Sequence, residues 1–172
     1  NSRYTTISTN DVDWGILAFQ ITDTKNYTKG GQNGKSHTDS TIDALWGIVL
    51  ATTNVGENWQ KGDPGKVNSR YTTISTNDVD WGILASQITD TANFTKGGQN
   101  GKSHTDSTID DLWGIVLATT NVGENWQKGD QAKVNSRYTT ISTNDVDWGI
   151  LASQITDTKN YTKGGANGKS HT

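Results

Sequence analysis

Hydrophobic and polar positions along this chain alternate over short stretches and follow no helical period. The segment "RYTTIST" at 3–9 is rich in β-branched residues and is followed by the turn pair Asn10-Asp11, so it predicts a strand. The segment "VDWGILAFQIT" at 12–22 predicts a longer strand, and "NYTKGG" at 26–31 predicts a short third one. No stretch has the apolar spacing and the end signals of a helix of about ten residues. The chain is therefore expected to be all-β.

Turn-forming residues separate these strands. Asn33-Gly34, within "QNGK" at 32–35, predicts a two-residue hairpin because both positions tolerate positive φ. The corresponding place in the next part of the chain is "DPGK" at 63–66, which also predicts a turn.

The sequence repeats at two nested periods. The segment "NSRYTTISTNDVDWGILA" begins at residues 1, 68 and 135, a spacing of 67 residues. Inside each unit, "WGILAFQITDTKNYTKG" at 14–30 aligns with "WGIVLATTNVGENWQKG" at 46–62. We interpret residues 1–172 as a single repeat domain of alternating long and short modules. The modules are 1–35, 36–67, 68–102, 103–134 and 135–169, and residues 170–172 begin a sixth.

Modules of this length with three or four short strands predict a small-blade β-propeller, and a β-solenoid or another symmetric β-repeat array is the alternative. Each module contains the tripeptide Trp-Gly-Ile among aliphatic residues. We expect its tryptophan to pack in the core of the module. These tryptophans are Trp14, Trp46, Trp81, Trp113 and Trp148.

The segment "YTTISTNDVDWGIL" at 4–17 combines a strand ending in Ile-Ser, a short polar turn, and a hydrophobic residue before Trp-Gly and an aliphatic residue. Downstream, "NYTKG" and "NWQKG" supply a strand with an aromatic residue. In these features all five modules resemble tectonin repeats. The resemblance implies a β-propeller and a lectin function, the recognition of surface glycans.

Composition narrows the classes of function. Only 30% of the residues are hydrophobic, which suits thin repeated layers better than one large core, and the net charge is −3 without a basic stripe. Nucleic acid is therefore not an expected partner. No apolar run approaches the roughly 18 residues of a membrane span, so membrane insertion is not expected. The chain has no Cys, which excludes disulfides, thiolate metal sites and a cysteine nucleophile.

No catalytic or cofactor-binding pattern is present, so we expect a protein that is not an enzyme and needs no cofactor. Histidine occurs only at one repeat position, in "KSHT", as His37, His104 and His171. We interpret these histidines as polar residues after a hairpin rather than as metal ligands. Arginine likewise occurs only before tyrosine, at Arg3, Arg70 and Arg137. A salt bridge to an aspartate of a neighbouring module is the expected role, and a carboxylate or sulfate on a glycan is the alternative partner.

A second set of aromatic residues lies 13 residues after each Trp-Gly-Ile tryptophan, in polar surroundings. An asparagine precedes each one and a lysine follows two residues later. An aromatic ring packs against the C–H face of a sugar, and amides and ammonium groups bond to its hydroxyls. The candidate ligand-binding residues are therefore the aromatics Tyr27, Trp59, Phe94, Trp126 and Tyr161, the asparagines Asn26, Asn58, Asn93, Asn125 and Asn160, and the lysines Lys29, Lys61, Lys96, Lys128 and Lys163.

The sequence thus predicts a multivalent carbohydrate-binding protein that recognises cell-surface glycans and is itself secreted or displayed at the cell surface. Repeated equivalent sites raise avidity without new contacts. The alternative is a structural or adhesive β-repeat protein that self-associates without a small ligand. The open edge of the repeat array also predicts pairing with another copy of the chain.

Overall fold

The computed structural model describes residues 1–172 and confirms the all-β expectation. Eleven strands follow one another, and the one helical element is a 3₁₀ turn at Gln60–Gly62. The strands are β1 (Ser2–Asn10), β2 (Leu17–Thr28), β3 (Gly31–Ile42), β4 (Val49–Trp59), β5 (Val67–Asn77), β6 (Leu84–Thr95), β7 (Gly98–Ile109), β8 (Val116–Gln127), β9 (Asp130–Asn144), β10 (Leu151–Thr162) and β11 (Gly165–His171).

Each strand pairs with its neighbours in sequence, giving one open antiparallel sheet in the order β1 to β11. A propeller divides its strands among separate sheets arranged around a channel. The prediction of a small-blade propeller, and its solenoid alternative, are not confirmed, because the strands share one sheet and that sheet is not closed.

By its contacts the chain divides into two compact units, residues Asn1–Gln87 and Ile88–Thr172. The first unit contains β1 to β5 and the beginning of β6. The second contains the remainder of β6 and β7 to β11. Both units use the same strand types, since the 67-residue repeat spans four strands.

The hairpin between β2 and β3 turns at residues 29–30, and Thr28 pairs with Gly31. The prediction of a turn at Asn33-Gly34 is therefore wrong, and "NYTKGG" is not a separate strand. Asn33 is the extra residue of a β-bulge, because Asn26 pairs with Gly34 while Tyr27 pairs with Gln32. A Cβ on Gly34 would lie 2.9 Å from a backbone oxygen of β4, so this glycine permits close strand approach rather than a turn.

The turn predicted at "DPGK" is confirmed. The Lys66 N–H donates to the Asp63 carbonyl at 2.9 Å, and the Gly65 N–H donates to Asp63 Oδ1 at 2.9 Å. In the second copy Gln131-Ala132 replaces Pro64-Gly65, and β9 extends back to Asp130. Proline has no N–H to donate to a ladder, and its replacement by glutamine supplies one.

The two faces of the sheet differ in chemistry. Strand register places Thr6, Thr22, Thr38 and Asn54 in one cross-strand row, in which Thr6 bonds to Thr22 at 3.0 Å and the Asn54 amide donates to Thr38 at 2.9 Å. We call this uncharged side the polar face. The opposite side, the charged face, carries acidic, basic and aliphatic residues. One of its rows contains Arg3, Lys25, Lys35, Glu57 and Arg70.

The core is small because a single sheet has no second layer to cover either face. The buried hydrophobic side chains are Trp59, Ile109 and Trp126. Backbone ladders and cross-strand pairs of side chains therefore provide most of the ordered contacts. The chain has no helix long and apolar enough to cross a membrane.

Candidate functional site: exposed tryptophan loops

The aromatic residues predicted to bind ligand divide into two groups. Trp59 and Trp126 are buried, with 8% and 5% of their surface exposed, and the Trp126 indole N–H donates to Glu124 Oε1 at 3.1 Å. Tyr27, Phe94 and Tyr161 are half-buried. The Arg3 guanidinium lies 5.3 Å from the centre of the Tyr27 ring, so that ring already has a cationic partner.

The asparagines of the predicted site have cross-strand partners on the polar face. The Ser2 hydroxyl donates to Asn26 Oδ1 at 2.9 Å, and Asn58 Nδ2 donates to the Ser69 hydroxyl at 3.1 Å. Because Ser2 and Arg3 are consecutive strand residues, their side chains leave opposite faces of the sheet. Asn26, which bonds to Ser2, therefore lies on the opposite face from Tyr27, which contacts Arg3.

The lysines of the predicted site are exposed residues of the hairpin turns: Lys29, Lys61, Lys96, Lys128 and Lys163. The three residue types thus do not converge in one place. Two of the three arginines pair with glutamate rather than with the aspartate expected from the sequence, since Arg70 and Arg137 lie 3.5 and 3.4 Å from Glu57 and Glu124.

The five Trp-Gly-Ile tryptophans are the most exposed aromatic residues of the chain. Between 76% and 84% of their surface is open to solvent. The expectation that they pack in the core is wrong. Their loops connect each odd-numbered strand to the next, and nothing covers the indole rings. The loops occupy residues 11–16, 43–48, 78–83, 110–115 and 145–150.

Each loop is closed by its first residue, an aspartate, as the loop at 78–83 illustrates. The Asp78 carboxylate accepts hydrogen bonds from the N–H groups of Asp80, at 2.9 Å, and Trp81, at 2.8 Å. The Asp78 N–H donates to the Ile83 carbonyl at 2.7 Å, and the Gly82 N–H donates to the Asp78 carbonyl at 3.0 Å. Gly82 has φ +68°, a conformation that favours glycine.

The same bonds recur in all five loops. The tryptophan N–H lies between 2.7 and 2.9 Å from the aspartate carboxylate in every copy. Aspartate side chains commonly satisfy backbone N–H groups in this way. The sequence therefore builds the same hydrogen-bonded loop five times and presents one indole on each.

Neighbouring loops within a unit lie side by side. In the first unit a Cβ on Gly82 would come within 2.8 Å of Ile48 Cγ2, and in the second a Cβ on Gly149 would come within 2.8 Å of Ile115 Cγ2. Because two strand spacings separate consecutive loops, their indoles recur at about 10 Å along the end of the sheet. That spacing is comparable to the length of a disaccharide.

A cleft of about 330 Å³ separates the second and third loops of the first unit. It is lined by Trp46 and Ile48 from one loop and by Val79 and Asp80 from the next. Asp80 is exposed, and its carboxylate does not take part in closing its own loop. The second unit repeats these four residue types in the same loops, as Trp113, Ile115, Val146 and Asp147.

Several ionisable groups of the charged face are paired with one another across strands. The His37 ring bonds to Asp23 at 2.7 Å, and this bond raises the pKa of His37 against the opposing effect of burial. Partial burial works to raise the pKa of Glu124, but the hydrogen bond from Trp126 and the charges of Lys102 and Arg137 outweigh it and lower that pKa. These pairs link neighbouring strands of the sheet.

No family model matches this sequence, and no curated protein shows significant similarity to it.

Proposed function

We propose that this chain is a multivalent carbohydrate-binding protein whose ligands contact the exposed tryptophan loops. The observation that supports the proposal is the presence of five solvent-exposed indoles held in loops that are closed by the same aspartate hydrogen bonds. Large aromatic side chains that remain this exposed at repeated positions are typical of binding surfaces. The resemblance of the modules to tectonin repeats points to the same function.

The cleft beside Trp46 has the residue types that a sugar requires. The indole offers a flat apolar surface for the C–H face of a pyranose ring. The Asp80 carboxylate accepts hydrogen bonds from sugar hydroxyls, and an ionised acceptor makes stronger bonds than a neutral one. Ile48 and Val79 complete an apolar wall.

The charge of the cleft favours neutral glycans. Asp80 repels carboxylate and sulfate groups, and the chain as a whole has a net charge of −3. We therefore propose neutral glycans of cell surfaces as ligands, which a secreted or surface-displayed protein would encounter. Because the second unit contains the equivalent residues Trp113 and Asp147, we propose a second site of the same kind there.

A glycan array followed by calorimetric titration tests this proposal. We expect binding to neutral glycans, and we expect the double variant Trp46→Ala/Trp113→Ala to lose it. The matched control is Trp14→Ala/Trp148→Ala, which removes two indoles of similar exposure. Within their own units, neither of these indoles is followed by a loop that has Val-Asp as its second and third residues, so neither has the cleft's second wall. Absence of glycan binding by the parent chain, or equal loss in both double variants, would contradict the proposed site.

A structural, self-associating protein is the second candidate function. It is favoured by the aliphatic side chains that remain exposed on the charged face, which include Ile7, Val55, Ile74, Val122 and Ile141. Fibre formation on concentration, together with no glycan binding, would support this candidate over the first.

A further inference from the structure

The three tryptophan loops of the first unit lie in a continuous row at one end of the sheet. They connect β1 to β2, β3 to β4 and β5 to β6, and these connections share one end because the strands alternate in direction. Neighbouring loops touch, since a Cβ on Gly47 would lie 3.4 Å from Ile16 Cβ and one on Gly82 would lie 2.8 Å from Ile48 Cγ2. We call these loops, residues 11–16, 43–48 and 78–83, the tryptophan row.

Strand geometry sets the spacing of the indoles along the tryptophan row. Consecutive loops are two strands apart, so Trp14, Trp46 and Trp81 recur at about 10 Å. The aspartate of each loop accepts a hydrogen bond from the tryptophan N–H, and the glycine that follows has φ between +68° and +69° in all three loops. The row therefore presents three exposed aromatic surfaces at a regular interval.

This interval matches one class of neutral glycan. In a linear β-1,4-linked polysaccharide each sugar is turned over relative to the next, so equivalent ring faces recur once per disaccharide, at a distance of about two strand spacings. The first, third and fifth sugars of such a chain meet the three indoles in turn. An α-1,4-linked chain coils, so its ring faces do not follow a straight row.

The side chains around the indoles favour a neutral, hydroxylated ligand. The three loops contain no lysine or arginine, so the row has no cation to pair with a phosphate, sulfate or carboxylate. Asp13 precedes Trp14 and Asp80 precedes Trp81, and both aspartates are exposed. Their carboxylates can accept hydrogen bonds from sugar hydroxyls, whereas the hydrocarbon of a bilayer would remove their water at a high cost in free energy.

We propose that the tryptophan row binds one extended chain of a neutral β-1,4-linked polysaccharide along its length, with alternate sugars stacked on successive indoles. This ligand class rests on the carbohydrate-binding function proposed above. The cleft between the second and third loops makes the first contact, because Asp80 supplies a hydrogen-bond acceptor there. The corresponding residues between the first and second loops are Ala44 and Leu45, which offer none. Trp14 therefore adds affinity only for chains that extend beyond the cleft.

Calorimetric titration with oligosaccharides of two lengths tests the proposal. The full chain carries Trp113→Ala, which removes the site proposed in the second unit, so that the titration reports the first unit. The probes are the di- and pentasaccharides of the cello- and chito-oligosaccharide series, with maltose and maltopentaose as the α-1,4-linked control. In at least one β-1,4-linked series the pentasaccharide should bind about 10²-fold more tightly than the disaccharide, about tenfold for each further indole. Maltopentaose should bind no more tightly than maltose.

Two variants made in the same background locate this gain. Trp14→Ala and Trp81→Ala should each lower the affinity for the pentasaccharide about tenfold, because one contact within the complex is lost. The affinity for the disaccharide, which the cleft determines, should not change. The matched control is Tyr4→Ala, since Tyr4 is 75% exposed but lies on the polar face of the sheet, opposite Thr24. It should change neither affinity.

The possible outcomes distinguish the ligand class from the function on which it rests. If the chain binds neutral glycans but gains no affinity with length in either β-1,4-linked series, or loses none with Trp14→Ala and Trp81→Ala, the extended row is overturned and carbohydrate binding stands. If the chain binds no glycan, both are overturned. Association with phosphatidylcholine vesicles in place of the oligosaccharides would also overturn both, and would identify the row as a membrane contact.

Discussion

At the scale of single residues, aspartate has different tasks according to its position in one short loop. Asp78 closes its loop by accepting two backbone N–H groups, whereas Asp80, two residues later, is exposed in the cleft beside Trp46. Asp23, on the charged face, forms a hydrogen bond with the His37 ring. Residue type alone did not distinguish these tasks. The tasks differ because each carboxylate meets a different number of backbone N–H donors.

The two loop aspartates should therefore respond differently to substitution. We expect Asp78→Ala to lower the free energy of unfolding by about 1–2 kcal/mol, because it leaves two loop N–H groups without their acceptor. Asp80→Asn should change stability by less than about 0.5 kcal/mol and weaken glycan binding. Urea denaturation and calorimetric titration measure the two effects. Equal destabilisation by both variants would show that the carboxylate of Asp78 does not close the loop.

The titration of His37 is a second prediction at this scale. Its pKa is raised chiefly by the hydrogen bond to Asp23, with a further contribution from Asp39. The folded state therefore holds the His37 proton more tightly than the unfolded chain. The resulting stabilisation is fully present below the unfolded pKa of about 6.5 and is lost as pH rises through the higher folded value.

We expect Asp23→Asn to move the pKa of His37 back toward its ordinary value in a two-dimensional NMR titration. His104 is an internal control, because its pKa is raised in the same way by a different residue, Asp90. A parallel shift of both histidines, or no shift of His37, would argue against the assigned hydrogen bond.

At the scale of elements, the sequence predicts strand content well and the ends of strands poorly. β-Branched residues identified β1 because strand propensity and pleat periodicity act locally. The pattern at 12–22 predicts one strand, yet its first part is a loop, because the Asp11 carboxylate accepts hydrogen bonds from the N–H groups of Asp13 and Trp14. The Asp11 side chain competes with a neighbouring strand for these backbone N–H groups, and hydrophobic periodicity does not indicate such competition.

The burial of the tryptophans differs from the sequence expectation for a related reason. The tryptophans stand beside aliphatic residues, and this pattern predicts burial only if a second layer covers them. The aromatics in polar surroundings are the predicted ligand-binding set, but Trp59 and Trp126 follow β-bulges and are buried. The number of layers in a fold depends on long-range pairing, which local composition does not report.

The packing role of a glycine in the middle of a strand also becomes apparent only when the strand register is known. Gly56 lies under the Tyr71 ring, and a methyl group there would overlap it. We expect Gly56→Ala to lower the free energy of unfolding by about 1–3 kcal/mol, as overpacking does. The control Gly30→Ala places its methyl group 3.8 Å from the nearest atom and should change stability little.

Urea denaturation of both variants, and of Gly56→Ala/Tyr71→Ala, tests this packing. The double variant should recover part of the stability lost by Gly56→Ala, because the overlapping ring is gone. If Gly56→Ala and Gly30→Ala are equally stable, the close contact between β4 and β5 does not constrain residue 56.

At the scale of the whole molecule, the repeat produces many equivalent surfaces and only a small core. Each unit presents its own tryptophan loops and paired charges, and few side chains are buried in either. Cross-strand pairs and backbone ladders contribute locally, so the same short module produces the same surface wherever it occurs. Weak single-site affinity is compatible with function in such a molecule because several sites act together.

The number of sites gives a prediction for the intact chain. Titration with a soluble monovalent glycan should give two equivalents per chain for the parent and one for Trp46→Ala or Trp113→Ala, with the same affinity at the remaining cleft. On a surface dense in the same glycan, each single variant should bind about 10²–10⁴-fold more weakly than the parent, because the intramolecular second contact is lost. Trp14→Ala should keep two equivalents. A stoichiometry of two in both cleft variants, or complete loss of binding in either one, would contradict two independent clefts.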